Sequence, residues 1–131
     1  MSVAVRYFSR SGNTKTIADA IAQGASTTAL SVDNPHASIN ERVDILFIGG
    51  GLYAYGIDKK LKAFIKTLSP DKIGKAVCFS TAWISKHAID ILVKELSSKG
   101  IPVDNDTFYC KGSKAKESTS LAKAFGATKS L

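Results

Sequence analysis

Apolar residues in this chain fall either into short continuous runs or into stripes at three- and four-residue spacing, and the two patterns alternate throughout. Residues 2–8 form the first continuous run, apolar at most positions, which predicts a strand near the centre of a parallel sheet. A helix to about Gln23 follows, with Ile17 and Ile21 one turn apart on its inward face and Gly24 as its stop. Residues 25–32, rich in threonine and serine, suit a weaker edge strand that Asp33-Asn34-Pro35 breaks. Val43 to Ile48 is the most apolar strand and belongs at the sheet centre; it ends in Gly49-Gly50-Gly51.

The same alternation continues in the second half. Asp58 is placed to cap a helix whose Leu61, Phe64, Ile65 and Leu68 repeat at helical steps, and Ser69-Pro70 ends it. Residues 75–80 form the fourth strand. Ser85 then caps a helix with Ile84 and Ile89 as a hydrophobic staple, a buried stripe of Ile89, Leu92, Val93 and Leu96, and Gly100 as its close. Residues 101–110, less apolar and interrupted by Pro102, fit the other sheet edge. A basic loop over 111–116 leads to a last helix from Glu117 to about Lys129, with Leu121, Ala124 and Phe125 inward.

Only ten residues, 33–42, separate the second and third strands, so His36 to Glu41 can form at most a turn or two of helix. Crossing one neighbouring strand is a lateral step of about 10 Å, which such a segment spans. The expected architecture is a single domain over residues 1–131, an open parallel sheet with helices on both faces.

Composition narrows the function. The hydrophobic fraction is 44%, and the longest apolar run, 45–52, is short and interrupted by three glycines, so it is a buried strand and no membrane span is expected. Met1-Ser2 leads straight into the first strand, which leaves no room for a secretory signal and makes the cytoplasm the expected compartment. Cys78 and Cys110 sit in apolar strand patterns and read as buried thiols rather than a disulfide or metal pair. Eighteen basic and eleven acidic side chains give a net charge of +7. The lysines are scattered over the helices without a basic run or interleaved aromatics, so they are solvated faces, and no nucleic acid is expected as a partner.

Candidate chemistry gathers at the strand ends. Ser9-Arg10-Ser11-Gly12-Asn13-Thr14 surrounds a glycine with hydroxyls, an amide and a guanidinium where a helix offers its first unpaired N–H groups, which makes a cup for a phosphate. It is neither a Walker loop nor a dinucleotide fingerprint, having one glycine and many hydroxyls. After the third strand, Gly51-Leu52-Tyr53-Ala54-Tyr55-Gly56 sets two tyrosines beside glycines that permit unusual backbone conformations. After the fourth, Ser80-Thr81-Ala82-Trp83 brings the only tryptophan. In open parallel sheets ligands bind beyond the carboxyl ends of the strands where the strand order reverses, so these turns would hold a planar ring beside a phosphate. His36 reads as solvated, and His87 as a first-turn residue of its helix. No nucleophile–base pair and no metal-type carboxylate cluster is seen.

The hydroxyl-x-hydroxyl-Gly-Asn-Thr pattern after the first strand, with the order and spacing of later elements, resembles the flavodoxins over nearly the whole chain. That resemblance implies a flavodoxin-like three-layer α/β/α sandwich with a five-stranded parallel sheet in the order 2-1-3-4-5. It also implies flavin mononucleotide (FMN) as cofactor, with Tyr53 or Tyr55 and Trp83 as stacking residues and the Tyr55-Gly56 peptide turning its carbonyl toward the reduced ring. Two other functions of such folds are excluded by residues: a response regulator needs acids where Phe8-Ser9 and Ile48-Gly49 stand, and a low-mass tyrosine phosphatase needs a cysteine where Ser9 stands. The implied role is a monomeric electron carrier between redox partner proteins. An FMN-dependent reductase or oxidase of a quinone or other small substrate, and a basic interaction domain that has lost its flavin, are the alternatives. Flavodoxins are typically acidic, so a charge of +7 implies an acidic partner or a different job.

Overall fold

Strands that are apolar on both faces need cover on both, and the chain supplies it by returning a helix to alternate sides of one sheet. The computed structural model describes residues 1–53, 56–82 and 87–131. Among these, β1 (Val3–Phe8), β2 (Ala29–Ser31), β3 (Val43–Gly51), β4 (Ile73–Ala82) and β5 (Phe108–Lys111) form a parallel sheet in the order β2-β1-β3-β4-β5. Four helices cover it: α1 (Asn13–Gly24), α2 (Lys59–Thr67), α3 (His87–Ser98) and α4 (Thr119–Lys129). The side-chain alternation of β3 divides the interior. Phe47 joins Val5, Ile17, Ile21 and Phe79 under α1 and α4, while Leu46 and Ile48 join Leu61, Ile65, Leu92 and Leu96 under α2 and α3.

The sequence-based outline holds in element order and topology, and the structure corrects several details. β3 runs through Gly49, Gly50 and Gly51 instead of ending before them, so these glycines are extended and not in unusual conformations. They are small because neighbours are close: a Cβ on Gly49 would lie 2.4 Å from Phe79, and one on Gly50 would lie 2.6 Å from Leu61. Residues 101–110 do not form one strand. Val103 makes a single bridge with Ala76, the chain leaves the sheet, and β5 begins at Phe108.

The second crossover forms no helix among residues 32–42. It is tied down from beneath, because the buried Arg6 of β1 donates its Nε–H to the Ala37 carbonyl at 2.7 Å. The basic loop after β5 is wound into two short 3-10 turns, Gly112–Lys114 and Lys116–Ser118.

The last helix is rotated from its expected phase. Leu121 is 69% exposed and Ala124 is also at the surface, while Ala122 and Gly126 are buried and Phe125 is half-buried. The reason is the close approach of α4 to α1. A Cβ on Gly126 would fall 2.2 Å from the Ile21 carbonyl oxygen, and one on Gly24 would fall 1.9 Å from that of Lys123. α1 does stop at Gly24, which also serves this contact; the left-handed residue beyond it is Ser26, at φ 59°. Gly100 at φ 80° does close α3.

An ionic knot fastens the chain where it leaves the sheet. Asp104 meets Lys75 at 2.9 Å and Lys129 at 3.2 Å, and Lys129 also reaches Asp106. Burial alone would raise the Asp104 carboxyl, but the Asp106 N–H and the two lysines outweigh it and hold its pKa at about 2.

Two outcomes test these contacts. Gly126→Val should destabilise the protein by about 1–3 kcal/mol in urea unfolding, whereas Leu121→Ser should stay within about 0.5 kcal/mol of the parent. Because the folded pKa of Asp104 lies below the ordinary carboxylate value, its contribution is complete above about pH 4 and is lost as the pH falls toward about 2. Asp104→Asn should therefore lower stability at neutral pH and flatten the acid limb of a stability–pH profile.

Candidate functional site

The strands of a parallel sheet all deliver their following loops to one edge, and here four of those loops meet. The turn after β1 supplies Ser11, Asn13 and Thr14; the end of β3 supplies Gly51, Leu52 and Tyr53; the end of β4 supplies Thr81 and Ala82; the turn after β5 supplies Gly112 and Ser113. Together they enclose a cavity of about 220 Å³. It lies against the junction of β1 and β3, where the strand order reverses.

The first turn of α1 forms one wall. Gly12 precedes the helix at φ 94°, a left-handed conformation that favours glycine, although open space would admit a side chain. No side chain caps this helix and its first turn holds no acidic residue. Thr16 N–H is bonded to the Gly12 carbonyl at 3.0 Å, so the amides before it have no acceptor within the helix. Thr14 is buried, and its hydroxyl lies 2.7 Å from that of Thr81, which joins α1 to the end of β4. A Cβ on Gly112 would sit 2.8 Å from Asn13 Nδ2, so the glycine makes room for that amide. Neutral donors, a helix dipole and no nearby carboxylate make a cradle for an anionic group.

Some members of the expected cup are occupied elsewhere. The Ser9 hydroxyl accepts the Gly12 N–H at 2.9 Å, closing the turn from inside. Arg10 does not itself line the cavity but backs its wall: its Nη2 is 2.6 Å from Asp58 Oδ2, and its guanidinium stacks 3.8 Å above the Tyr53 ring. Asp58 also caps α2 by accepting the Lys60 N–H at 2.8 Å. Burial alone would raise the Asp58 carboxyl, but the Lys60 N–H and Arg10 prevail and lower its pKa. One carboxylate thus ties the turn after β1 to the segment after β3.

The chain matches a family model, Flavodoxin domain, over residues 4–106. It belongs to the flavodoxin family. Among solved structures, it is 27% identical to oxidised Flavodoxin 1 from Bacillus cereus, with a TM-score of 0.77 and coverage of 99% of both chains. A flavodiiron core from Synechocystis gives a TM-score of 0.79 at 21% identity over 98% of this chain, which spans only 34% of that one. A flavodoxin, WrbA-like protein from Agrobacterium tumefaciens gives 0.75 at 16% identity, with 98% and 94% of the two chains covered. No curated protein matches.

In this flavodoxin the cavity brings together Ser11, Asn13, Thr14, Gly51, Leu52, Tyr53, Thr81 and Ala82 of the residues expected from sequence. Ser9, Arg10 and Gly12 shape its surroundings as described. Ser80 is fully buried and donates to the Gly50 carbonyl at 2.8 Å, a strand-to-strand contact. Gly56, at φ 110°, pairs with Tyr53 through both backbone bonds of a tight turn, at 2.7 and 3.0 Å, and lines a different groove. Ala54, Tyr55, Trp83, Ile84 and Ser85 lie outside the described residues. Gly112 and Ser113 were not anticipated; the rule that ligands gather beyond strand ends applies equally to the last strand and would have found them.

His36 is exposed. Both cysteines are free and buried, and burial pushes the Cys78 thiol up to about 12, so it does not ionise near neutrality. Among the described residues no group of His, Cys, Asp or Glu could hold a metal ion, and no helix is long and apolar enough to cross a membrane.

Asp58→Ala should lower stability by about 1–2 kcal/mol in urea unfolding, since the α2 cap and the Arg10 pair are both lost. Asp58→Asn, which keeps the cap but not the charge, should recover much of that loss.

Proposed function

We propose that this flavodoxin binds FMN at the carboxyl edge of its sheet and carries electrons between redox proteins. The observation that carries the reading is the meeting of the uncapped first turn of α1 with the ends of β3, β4 and β5 around one cavity. Its donor set suits a phosphomonoester: backbone amides, the Ser11 and Thr14 hydroxyls and the Asn13 amide, with no carboxylate in the wall. The volume, about 220 Å³, is below the ~300–1,000 Å³ of whole small-molecule sites and fits the phosphate-bearing tail. Tyr53 in the same wall is the described aromatic surface for a flat ring.

FMN, when bound, supplies one- and two-electron chemistry that no side chain of the described residues offers. The protein's share is positional. The α1 turn holds the phosphate, the Thr14–Thr81 contact fixes that turn relative to β4, and Arg10 over the Tyr53 ring holds the aromatic wall in place. Gly56 gives the loop after β3 a backbone conformation that a β-branched residue adopts only with strain.

Titration of the purified protein tests the reading. One equivalent of FMN should bind, with visible flavin bands, and riboflavin, lacking the phosphate, should bind at least about tenfold more weakly. Ser11→Ala with Asn13→Ala should weaken FMN by about tenfold or more and leave riboflavin nearly unchanged, because each charge-assisted hydrogen bond contributes about 1.5–3 kcal/mol. A protein that ignores added flavin would refute the proposal. Steady turnover with a nicotinamide and a quinone would move it to the reductase reading.

A further inference from the structure

α2 holds four lysines in nine residues and no acidic side chain. Lys59, Lys62 and Lys66 recur at three- and four-residue steps and so share one stripe of the helix. That stripe runs along α3. Lys62 Nζ lies 3.5 Å from Glu95 Oε1, and Lys99 Nζ donates to the Lys66 carbonyl at 2.8 Å. α3 adds Lys94, so five lysines stand along the seam against Glu95, already paired, and Asp90, one turn before Lys94. Lys60 points to the other side of α2, where it meets Asp33 at 3.8 Å.

Between the two helices lies an open groove of about 780 Å³ whose walls include Lys59, Lys62, Lys94 and the half-buried Ile91. The half-buried Ile91 gives the groove a small apolar centre inside a charged rim, the arrangement in which a polar edge surrounds an apolar contact. Its described walls hold no aromatic ring or guanidinium on which a nucleic-acid base could stack. Gly56 is also in its wall. Because Gly56 and Tyr53 close one tight turn, and Tyr53 lines the cofactor cavity, the groove and the cavity lie on either side of a single turn.

We propose that the α2–α3 seam is the docking surface for an acidic redox protein, which the lysines steer onto the turn beside the cofactor. The inference rests on the electron-carrier reading. An excess of three positive charges along one seam, five lysines against Glu95 and Asp90, raises encounter rates with a negative surface and suppresses those with a positive one.

The FMN-loaded protein is reduced in a stopped-flow instrument by an acidic [2Fe–2S] ferredoxin, and its reoxidation by a basic cytochrome c is followed separately. Lys59→Glu with Lys94→Glu should slow the ferredoxin reaction by about tenfold at low salt and speed the cytochrome reaction, with both differences fading toward about 0.5 M salt. Lys72→Glu with Lys123→Glu, away from the seam but equal in net charge, should change either rate much less. Equal effects in the two variants, or none in the first, would overturn the proposal. So would a single-stranded DNA oligonucleotide that binds through Lys59 and Lys94 while the ferredoxin does not. If FMN itself fails to bind, the carrier reading falls, and calorimetric titration with the same ferredoxin decides the surface: salt-sensitive binding lost in Lys59→Glu/Lys94→Glu upholds it, and its absence overturns it.

Discussion

The carboxyl edge of this sheet is organised by the first turn of α1, and α1 stands where it does because two backbones touch. Gly24 lies against the Lys123 carbonyl and Gly126 against that of Ile21, so α4 rests on α1 with no side chain between them at either point. The opposite face of α1 buries Ile17 and Ile21 against the sheet. Held from both sides, the helix keeps its position without an N-terminal cap. Omitting one costs about 1 kcal/mol, and packing can supply that many times over. The donors left open belong to the turn that lines the cavity, so the shape of that wall depends on contacts a full helix-length away.

What was legible in the sequence follows from burial. A strand covered on both faces must be continuously apolar, and a helix covering it must carry a stripe, so the alternation of elements and the division of the core were readable. Contacts made through missing side chains were not. Leu121 looks inward to any method that weighs large apolar residues, yet the phase of α4 is set by Gly126, which carries no signal of its own. Gly49 and Gly50 likewise read as the end of a strand when their smallness answers Phe79 and Leu61 across the sheet and α2. The second crossover, which forms no helix, is anchored by Arg6 reaching Ala37, a pairing between residues 31 positions apart that no local pattern reveals.

The site shows the same division. The loops after β1, β3 and β4 were found from chemistry and topology together. The loop after β5 was read for its charge, which hid the part played by Gly112 and Ser113. Arg10 reads as a member of the cup because its neighbours are hydroxyls; the fold adds a partner no local pattern reveals, Asp58, arriving from 48 residues away. Asp58 comes to that place because it caps α2, so the capping requirement of one helix decides the partner of a residue beside another.

That pairing separates two kinds of electrostatics in the molecule. With Arg10 bound to Asp58, the open donors of the α1 turn are amides, hydroxyls and a helix dipole, all effective only at contact range. The lysines of the α2–α3 seam act differently: they are exposed, and their field extends about 8–10 Å into physiological salt. On the proposed reading, a phosphate tail would be held by donors that a docking protein does not perturb. The approach of that protein would be governed in turn by charges that contribute little to holding the cofactor. The tight turn of Tyr53 and Gly56 is the described element common to both, and it connects them through backbone hydrogen bonds rather than through charge.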